Sequence, residues 1–117
     1  MDIIEKVKKI DEIQKLYCYI YGKYDLNNSM LWMVEECGEV ISAIRKHHSK
    51  EDIKGELGDL LNWIFCLGNI LEINVSDMIM GSYKKEIKRQ LMKYGELHYA
   101  DEDKKNEICQ QYNEWDK

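Results

Sequence analysis

Residues 30–47 read MLWMVEECGEVISAIRKH, and their apolar side chains recur every three or four positions. That spacing is typical of an amphipathic α-helix, because 3.6 residues complete one turn. The apolar face of this second helix is predicted to consist of Leu31, Val34, Cys37, Gly38, Ile41 and Ile44. Glu35, Glu36 and Glu39 fall on the other side, within an arc of about 100°. Trp32 shares that arc, so the acidic side is not purely polar.

A third helix is predicted to begin after Ser49 and to run to about Glu72. Ser49 with an acid three residues later resembles a capping box. The side that we expect to be buried carries Ile53, Leu57, Leu60, Ile64, Leu67 and Leu71. Glu56 lies about 60° from the centre of that side, and Asp59 lies about 60° further on, level with Trp63. Neither acid is expected to point outward, so each needs a cation, hydrogen bonds or a metal.

Two further long helices flank this pair. The first is predicted from about Asp2 to Tyr21, and the fourth from a cap at residues 74–77 to about Tyr94. Residues 96–117 are polar and are predicted to form a tail with a short amphipathic helix. Because there is no proline and little strand-like alternation, we predict an all-α fold.

The composition fits a single compact domain. The chain has 117 residues, of which 44% are hydrophobic, enough to bury one core. A net charge of −5 argues against a protein that coats a nucleic-acid polymer. The four cysteines form no C-x-x-C pair and are expected to be core residues in a reducing compartment. Without a signal-like or membrane-length apolar run, we expect a cytoplasmic protein with no membrane partner.

The acids of the second and third helices form two pairs, Glu36 with Glu39 and Glu56 with Asp59. If the two helices are antiparallel neighbours, the pairs can face each other. Their charges would repel unless a cation lay between them, and carboxylate oxygens suit Mg²⁺ or Mn²⁺. A di-iron site would need Glu-x-x-His pairs, and none of the three histidines has a glutamate three residues before it.

The fourth helix carries a run of basic residues on the side away from its apolar stripe, namely Lys84, Lys85, Lys88, Arg89 and Lys93. A solvated basic face is the simpler interpretation of this run. A metal cluster together with such a helix is nevertheless what a Mg²⁺-bound polyphosphate requires, because the metal and the cations share the phosphate charge.

The motifs Glu35-Glu36-Cys37-Gly38-Glu39 and Glu56-Leu57-Gly58-Asp59 resemble the E-E-x-x-E and E-x-x-D motifs of the MazG-like all-α nucleoside triphosphate pyrophosphohydrolases. The resemblance covers roughly residues 28–90. It implies a four-helix bundle within residues 1–95, a homodimer or a dimer of dimers, and cleavage of a nucleoside triphosphate to the monophosphate and pyrophosphate.

The resemblance also implies roles for individual residues. Glu36, Glu39, Glu56 and Asp59 correspond to Mg²⁺ ligands, with Mn²⁺ as a substitute. Glu35 and Glu36 are the predicted catalytic pair, with Glu35 completing the metal shell or orienting the attacking water.

The fourth helix departs from the family pattern of a Lys, an Asn four residues later and an Arg three beyond that. An ungapped match puts Ser82 and Glu86 at the first two positions and leaves Arg89 in agreement. Lys85 lies next to these positions in the sequence. We predict that Lys85 and Arg89 contact phosphate.

For the nucleobase, Trp63 and Asn62 are the predicted contacts. Alternatives stay open, namely a relative specific for dUTP, dCTP or phosphoribosyl-ATP, or a non-catalytic helical interaction module that kept the fold.

Overall fold

The computed structural model of the protein describes residues 2–115. They form five α-helices and no strand, which confirms the all-α prediction: α1 Ile3–Tyr21, α2 Leu26–Arg45, α3 Lys50–Leu71, α4 Val75–Tyr94 and α5 Glu102–Trp115. The chain divides into two compact units, Met1–Asp77 and Met78–Lys117. Because most of α4 belongs to the second unit, the four-helix bundle stays a prediction, as does a domain boundary at residue 95.

Taken one at a time, the helices within residues 2–115 are too short or too polar to cross a membrane. Only α3 and α4 considered together, as a bent pair, have the length and composition of a span.

Helices α1, α2 and α3 each start at a side chain that accepts a hydrogen bond from a free backbone N–H, and Asp101 does the same for α5 at 2.9 Å. The side-chain oxygens of Asp2, Asp25 and Ser49 accept hydrogen bonds from the N–H groups three residues on, at 3.0, 2.9 and 3.2 Å. Such caps are typically worth about 1 kcal/mol each, because the first N–H groups of a helix have no partner within the helix. They fix where α1, α2 and α3 begin.

The bounds of α2 differ from the prediction at both ends. It begins at Leu26 rather than Met30, because Asp25 caps the chain one turn earlier. It ends at Arg45 rather than His47, which adopts a left-handed backbone conformation with φ of 56°. A left-handed residue cannot continue a right-handed helix.

The start of α4 is held by side chains of α1. The Oε1 atom of Gln14, a residue only 3% exposed, accepts a hydrogen bond from the backbone N–H of Val75 at 2.8 Å. The carboxylate of Asp11 accepts from the backbone N–H of Ser76 at 2.9 Å and from its hydroxyl. The cap that the sequence placed at residues 74–77 is therefore completed from α1.

The sides that pack are not those that hydropathy alone suggested. In α2 the buried residues are Ser29, Val40 and Ala43, whereas Val34 is 69% exposed. The other large members of the predicted apolar face are exposed as well, namely Leu31, Ile41 and Ile44. In α1, Val7 is buried, whereas Ile13, Leu16 and Ile20 are exposed.

The buried side of α3 also differs from the prediction. Its buried residues are Phe65, Cys66 and Gly68, while Leu57 and Leu71 are about half exposed. This difference arises because α1 and α2 both pack against α3, so two of its sides are covered. Of the four cysteines, Cys66 alone is buried.

Candidate metal centre and adjoining cleft

The acidic site lies where α2 and α3 pack together. Near one end of the contact, the rings of Trp32 and Trp63 lie with their centroids 5.4 Å apart. Further along α2, Glu36 approaches Asp59 and Glu56, which come earlier in α3. Later residues of α2 therefore meet earlier residues of α3, so the two helices are antiparallel.

Three carboxylates converge at this contact. Glu36, Glu56 and Asp59 each offer one oxygen, and these oxygens lie within 4.8 Å of one another. Glu36 and Glu56 are partly buried, whereas Asp59 is exposed. The expectation that Asp59 does not point outward is therefore wrong, because its side of α3 faces an open cleft.

The electrostatics of the cluster favour a cation. The Oε2 atoms of Glu36 and Glu56 are buried and have no hydrogen-bond partner within residues 2–115. Burial, followed by the neighbouring charges of Glu39 and Asp59, raises the pKa of Glu36 from 4.5 to about 7. Burial and the neighbouring carboxylates raise the pKa of Glu56 as well. A divalent cation fits this donor set, since it would satisfy the unpartnered oxygens and remove the repulsion between charges.

The other two predicted acids lie at the edge of the cluster. Glu39 is exposed and is not among the three residues whose oxygens converge. Its charge nevertheless raises the pKa of both Glu36 and Glu56, which places it beside them. Glu35 is exposed and lines the cleft.

A cleft of about 470 Å³ adjoins the carboxylates. Its walls are aromatic at one end and acidic at the other, and they consist of Tyr21, Tyr24, Trp32, Glu35, Glu36, Asp59, Asn62, Trp63 and Cys66. The structure thus brings both predicted base-contacting residues, Trp63 and Asn62, into one cavity with three of the predicted acids.

Sequence reasoning missed Tyr24. This residue belongs to the connector between α1 and α2, and its ring centroid lies 5.4 Å from that of Trp32 and 6.2 Å from that of Trp63. A connector residue takes part in no helical periodicity, so the sequence contained no signal that would place it in the cleft. The three rings together form a continuous aromatic wall.

The two predicted phosphate contacts lie on α4, in the second unit. Both Lys85 and Arg89 are exposed. The Nε atom of Arg89 lies 2.7 and 2.8 Å from the two carboxylate oxygens of Glu86, and this contact lowers the pKa of Glu86. Glu86, which stands where the family carries Asn, therefore pairs with the arginine that matches the family pattern. Contact with phosphate stays a prediction for both residues.

The comparisons with known proteins give the same family as the motifs. The family model described as the MazG nucleotide pyrophosphohydrolase domain matches residues 25–91. The match includes both acidic motifs, Asn62, Trp63 and Arg89. No curated protein and no solved structure matches the chain significantly. Because the matched residues make up more than half of the chain, this protein belongs to the MazG nucleotide pyrophosphohydrolase family.

Proposed function

We propose that this protein hydrolyses a nucleoside triphosphate between its α- and β-phosphates, producing the monophosphate and pyrophosphate. The observation that carries the proposal is the convergence of Glu36, Glu56 and Asp59 beside an aromatic cleft. The acids provide a site for metal-bound phosphate, and the rings provide a surface on which a base can stack.

Mg²⁺ is the proposed ion, with Mn²⁺ as a substitute, because the donors are carboxylate oxygens and carry several negative charges. Glu36, Glu56 and Asp59 would hold it, with Glu39 next to them. When bound, the ion supplies Lewis acidity toward a phosphate oxygen and toward water.

The protein groups around the ion have separate tasks. Glu35 faces the cleft as an exposed carboxylate and can accept a hydrogen bond or a proton from the attacking water. Trp63 and Asn62 hold the base in the same cleft. Lys85 and Arg89 are the proposed phosphate contacts.

The proposed protein partner is a second copy of the chain, as a homodimer or a dimer of dimers. In the first unit, large apolar side chains on α1 and α2 are about half to two-thirds exposed, namely Ile13, Leu16, Leu31, Val34, Ile41 and Ile44. Apolar surface of this extent is uncommon on a monomer and is typical of an interface between subunits.

Pyrophosphate release tests the activity. The substrates are common and modified ribo- and deoxynucleoside triphosphates with Mg²⁺ or Mn²⁺, and the enzymes are wild type, Glu56→Gln and Asp59→Asn. Glu51→Gln is the matched control on α3, since Glu51 is 81% exposed and pairs with Lys54. We expect metal-dependent release that both site variants lose and the control keeps. A folded wild type that releases no pyrophosphate from any of them would instead support the non-catalytic module.

A further inference from the structure

One hydrogen bond in the wall of the cleft joins α1 to α3. The side-chain Nδ2 of Asn62 donates to the hydroxyl of Tyr21, with 3.0 Å between the two atoms. Both residues line the cleft. Tyr21 precedes residue 25, where the family match begins, so this contact is supplied from outside the part of the chain that defines the family.

The ring of Tyr21 is held by packing rather than by its hydroxyl alone. It makes an edge-to-face contact with Tyr17, with ring centroids 5.5 Å apart. Tyr17 in turn packs against Phe65 of α3, at 4.8 Å. The hydroxyl is thus presented to Asn62 from a ring that packs against Tyr17 of α1, and in this contact Nδ2 of the amide faces Tyr21. The carbonyl oxygen of Asn62 is left as an acceptor for another group.

The rest of the polar lining combines carboxylates with the indole N–H groups of Trp32 and Trp63 and the hydroxyl of Tyr24. Glu35, Glu36 and Asp59 contribute carboxylates, and no Lys, Arg or His appears among the lining residues that the structure describes. A base that offers an N–H donor at its edge matches the free carbonyl oxygen of Asn62 better than one that offers a carbonyl oxygen there.

The spacing along α3 also suits a nucleotide. Asn62 and Trp63 follow Asp59 by three and four residues, a rise of about 4.5 to 6 Å along the helix axis. A base beside Asn62 is therefore about one sugar away from a phosphate beside Asp59.

We infer that Asn62, oriented by Tyr21, selects a nucleotide whose base carries an exocyclic amine over its counterpart with a carbonyl oxygen, for example cytosine over uracil. This inference rests on the proposed function, because it concerns the base end of the same cleft. Asn62 touches the base as a specificity-determining residue, and Tyr21 is a positioning residue that acts through Asn62.

Binding of CMP and UMP in the presence of Mg²⁺ provides the test. It is measured by the quenching of tryptophan fluorescence, because Trp32 and Trp63 line the cleft. The same proteins are assayed for kcat/KM with CTP and UTP. The variants are Asn62→Leu and Tyr21→Phe, which remove the amide and the orienting hydroxyl while keeping comparable volume. Tyr17→Phe is the control, because it removes a hydroxyl from the neighbouring ring without touching the contact with Asn62.

Wild type and Tyr17→Phe should bind CMP about 3 to 10 times more tightly than UMP, the range expected for one net hydrogen bond. Both test variants should bring that ratio close to one, and the double variant should change it no further, because Tyr21 acts through Asn62. The ratio of kcat/KM for CTP and UTP should move in parallel.

The possible failures are distinct. A wild type with no preference, a preference for UMP, or a ratio that survives in Asn62→Leu or Tyr21→Phe would overturn the inference while leaving pyrophosphate release intact. If folded wild type releases no pyrophosphate from any nucleoside triphosphate of the panel, the proposed function fails, and the CMP to UMP binding ratio still decides the role of Asn62.

Discussion

Glu36 of α2 and Asp59 of α3 bring carboxylate oxygens to within 4.8 Å of each other, with Glu56 completing the group. Like charges at this distance repel, and part of the group is withdrawn from water. In its metal-free form the protein therefore has a locally destabilised contact between two of its main helices. Metal binding should be visible as added stability of the whole fold.

Mg²⁺ should raise the thermal unfolding temperature of wild type. A ligand that binds only the folded state adds about 2.7 kcal/mol at a concentration 100 times its Kd. Asp59→Asn should lose most of this increment, because the amide supplies one fewer charge to the ion. Differential scanning fluorimetry across a Mg²⁺ titration measures the effect, and Glu51→Gln should respond as wild type does. An equal shift in Asp59→Asn would exclude Asp59 as a ligand.

The metal-free protein should lose stability between about pH 4.5 and pH 7 through Glu36. Its pKa is about 7 in the folded protein against an ordinary value of 4.5. Across that interval the folded state keeps a proton that the unfolded state releases, so rising pH favours unfolding. The contribution is complete below the unfolded pKa and is lost as pH rises through the folded one.

Thermal unfolding in EDTA, compared between wild type and Glu36→Gln over pH 4 to 8, isolates this contribution. The stability of wild type relative to the variant should fall as pH rises, and Mg²⁺ should reverse the trend because it binds the ionised carboxylates. A difference that is independent of pH would show that Glu36 titrates normally.

Gln14→Leu should destabilise the first unit by about 1 to 3 kcal/mol, the usual cost of leaving a buried group without a partner. The variant removes the acceptor for the N–H of Val75 and the donor for the carbonyl oxygen of Ile73, which lies 2.9 Å from Gln14 Nε2. Chemical denaturation measures the change. Gln110→Leu, at an exposed position of α5, is the comparison, and a loss no greater than in that variant would contradict the capping role.

The two acidic motifs were predictable from the sequence because their chemistry depends on side-chain type and helical spacing. The positions of Glu36 in α2 and of Glu56 and Asp59 in α3 determine on which side of its helix each acid lies. Trp63 and Asn62 follow Asp59 by one turn, so their place beside the acids came from the same periodicity. The identity of the family followed from these residues.

The packed side of α2 was not predictable from hydropathy. Its buried residues are Ser29, Val40 and Ala43, while Leu31 and Val34 are exposed. Hydropathy indicates that a residue avoids water, but it does not tell whether the covering surface belongs to the same chain. Contacts between distant segments, such as Tyr21 with Asn62, leave no periodic trace either.

Glu86→Asn should lower KM for the nucleotide, because it releases Arg89 from its carboxylate partner and introduces the residue that the family carries there. The pair is about half exposed, so its interaction is weak, and KM should change by roughly 1.5- to 5-fold. Arg89→Ala should raise KM, and combining the two changes should abolish the benefit of Glu86→Asn. Steady-state kinetics at fixed Mg²⁺ measures KM for all three variants. If neither substitution changes KM, Arg89 does not contact the substrate.

Val34→Asp should weaken self-association. Val34 is 69% exposed on a helix whose neighbouring large apolar residues are exposed as well, and a second copy of the chain would cover them. A charge placed there would have to be buried without a partner on association, which costs several kcal/mol. Val34→Ile, which keeps the apolar surface, should associate as wild type does. Light scattering coupled to size-exclusion chromatography measures the mass over a range of concentrations. A wild type that is monomeric throughout would contradict the proposed partner, because the apolar side of α2 would then stay in water without cost.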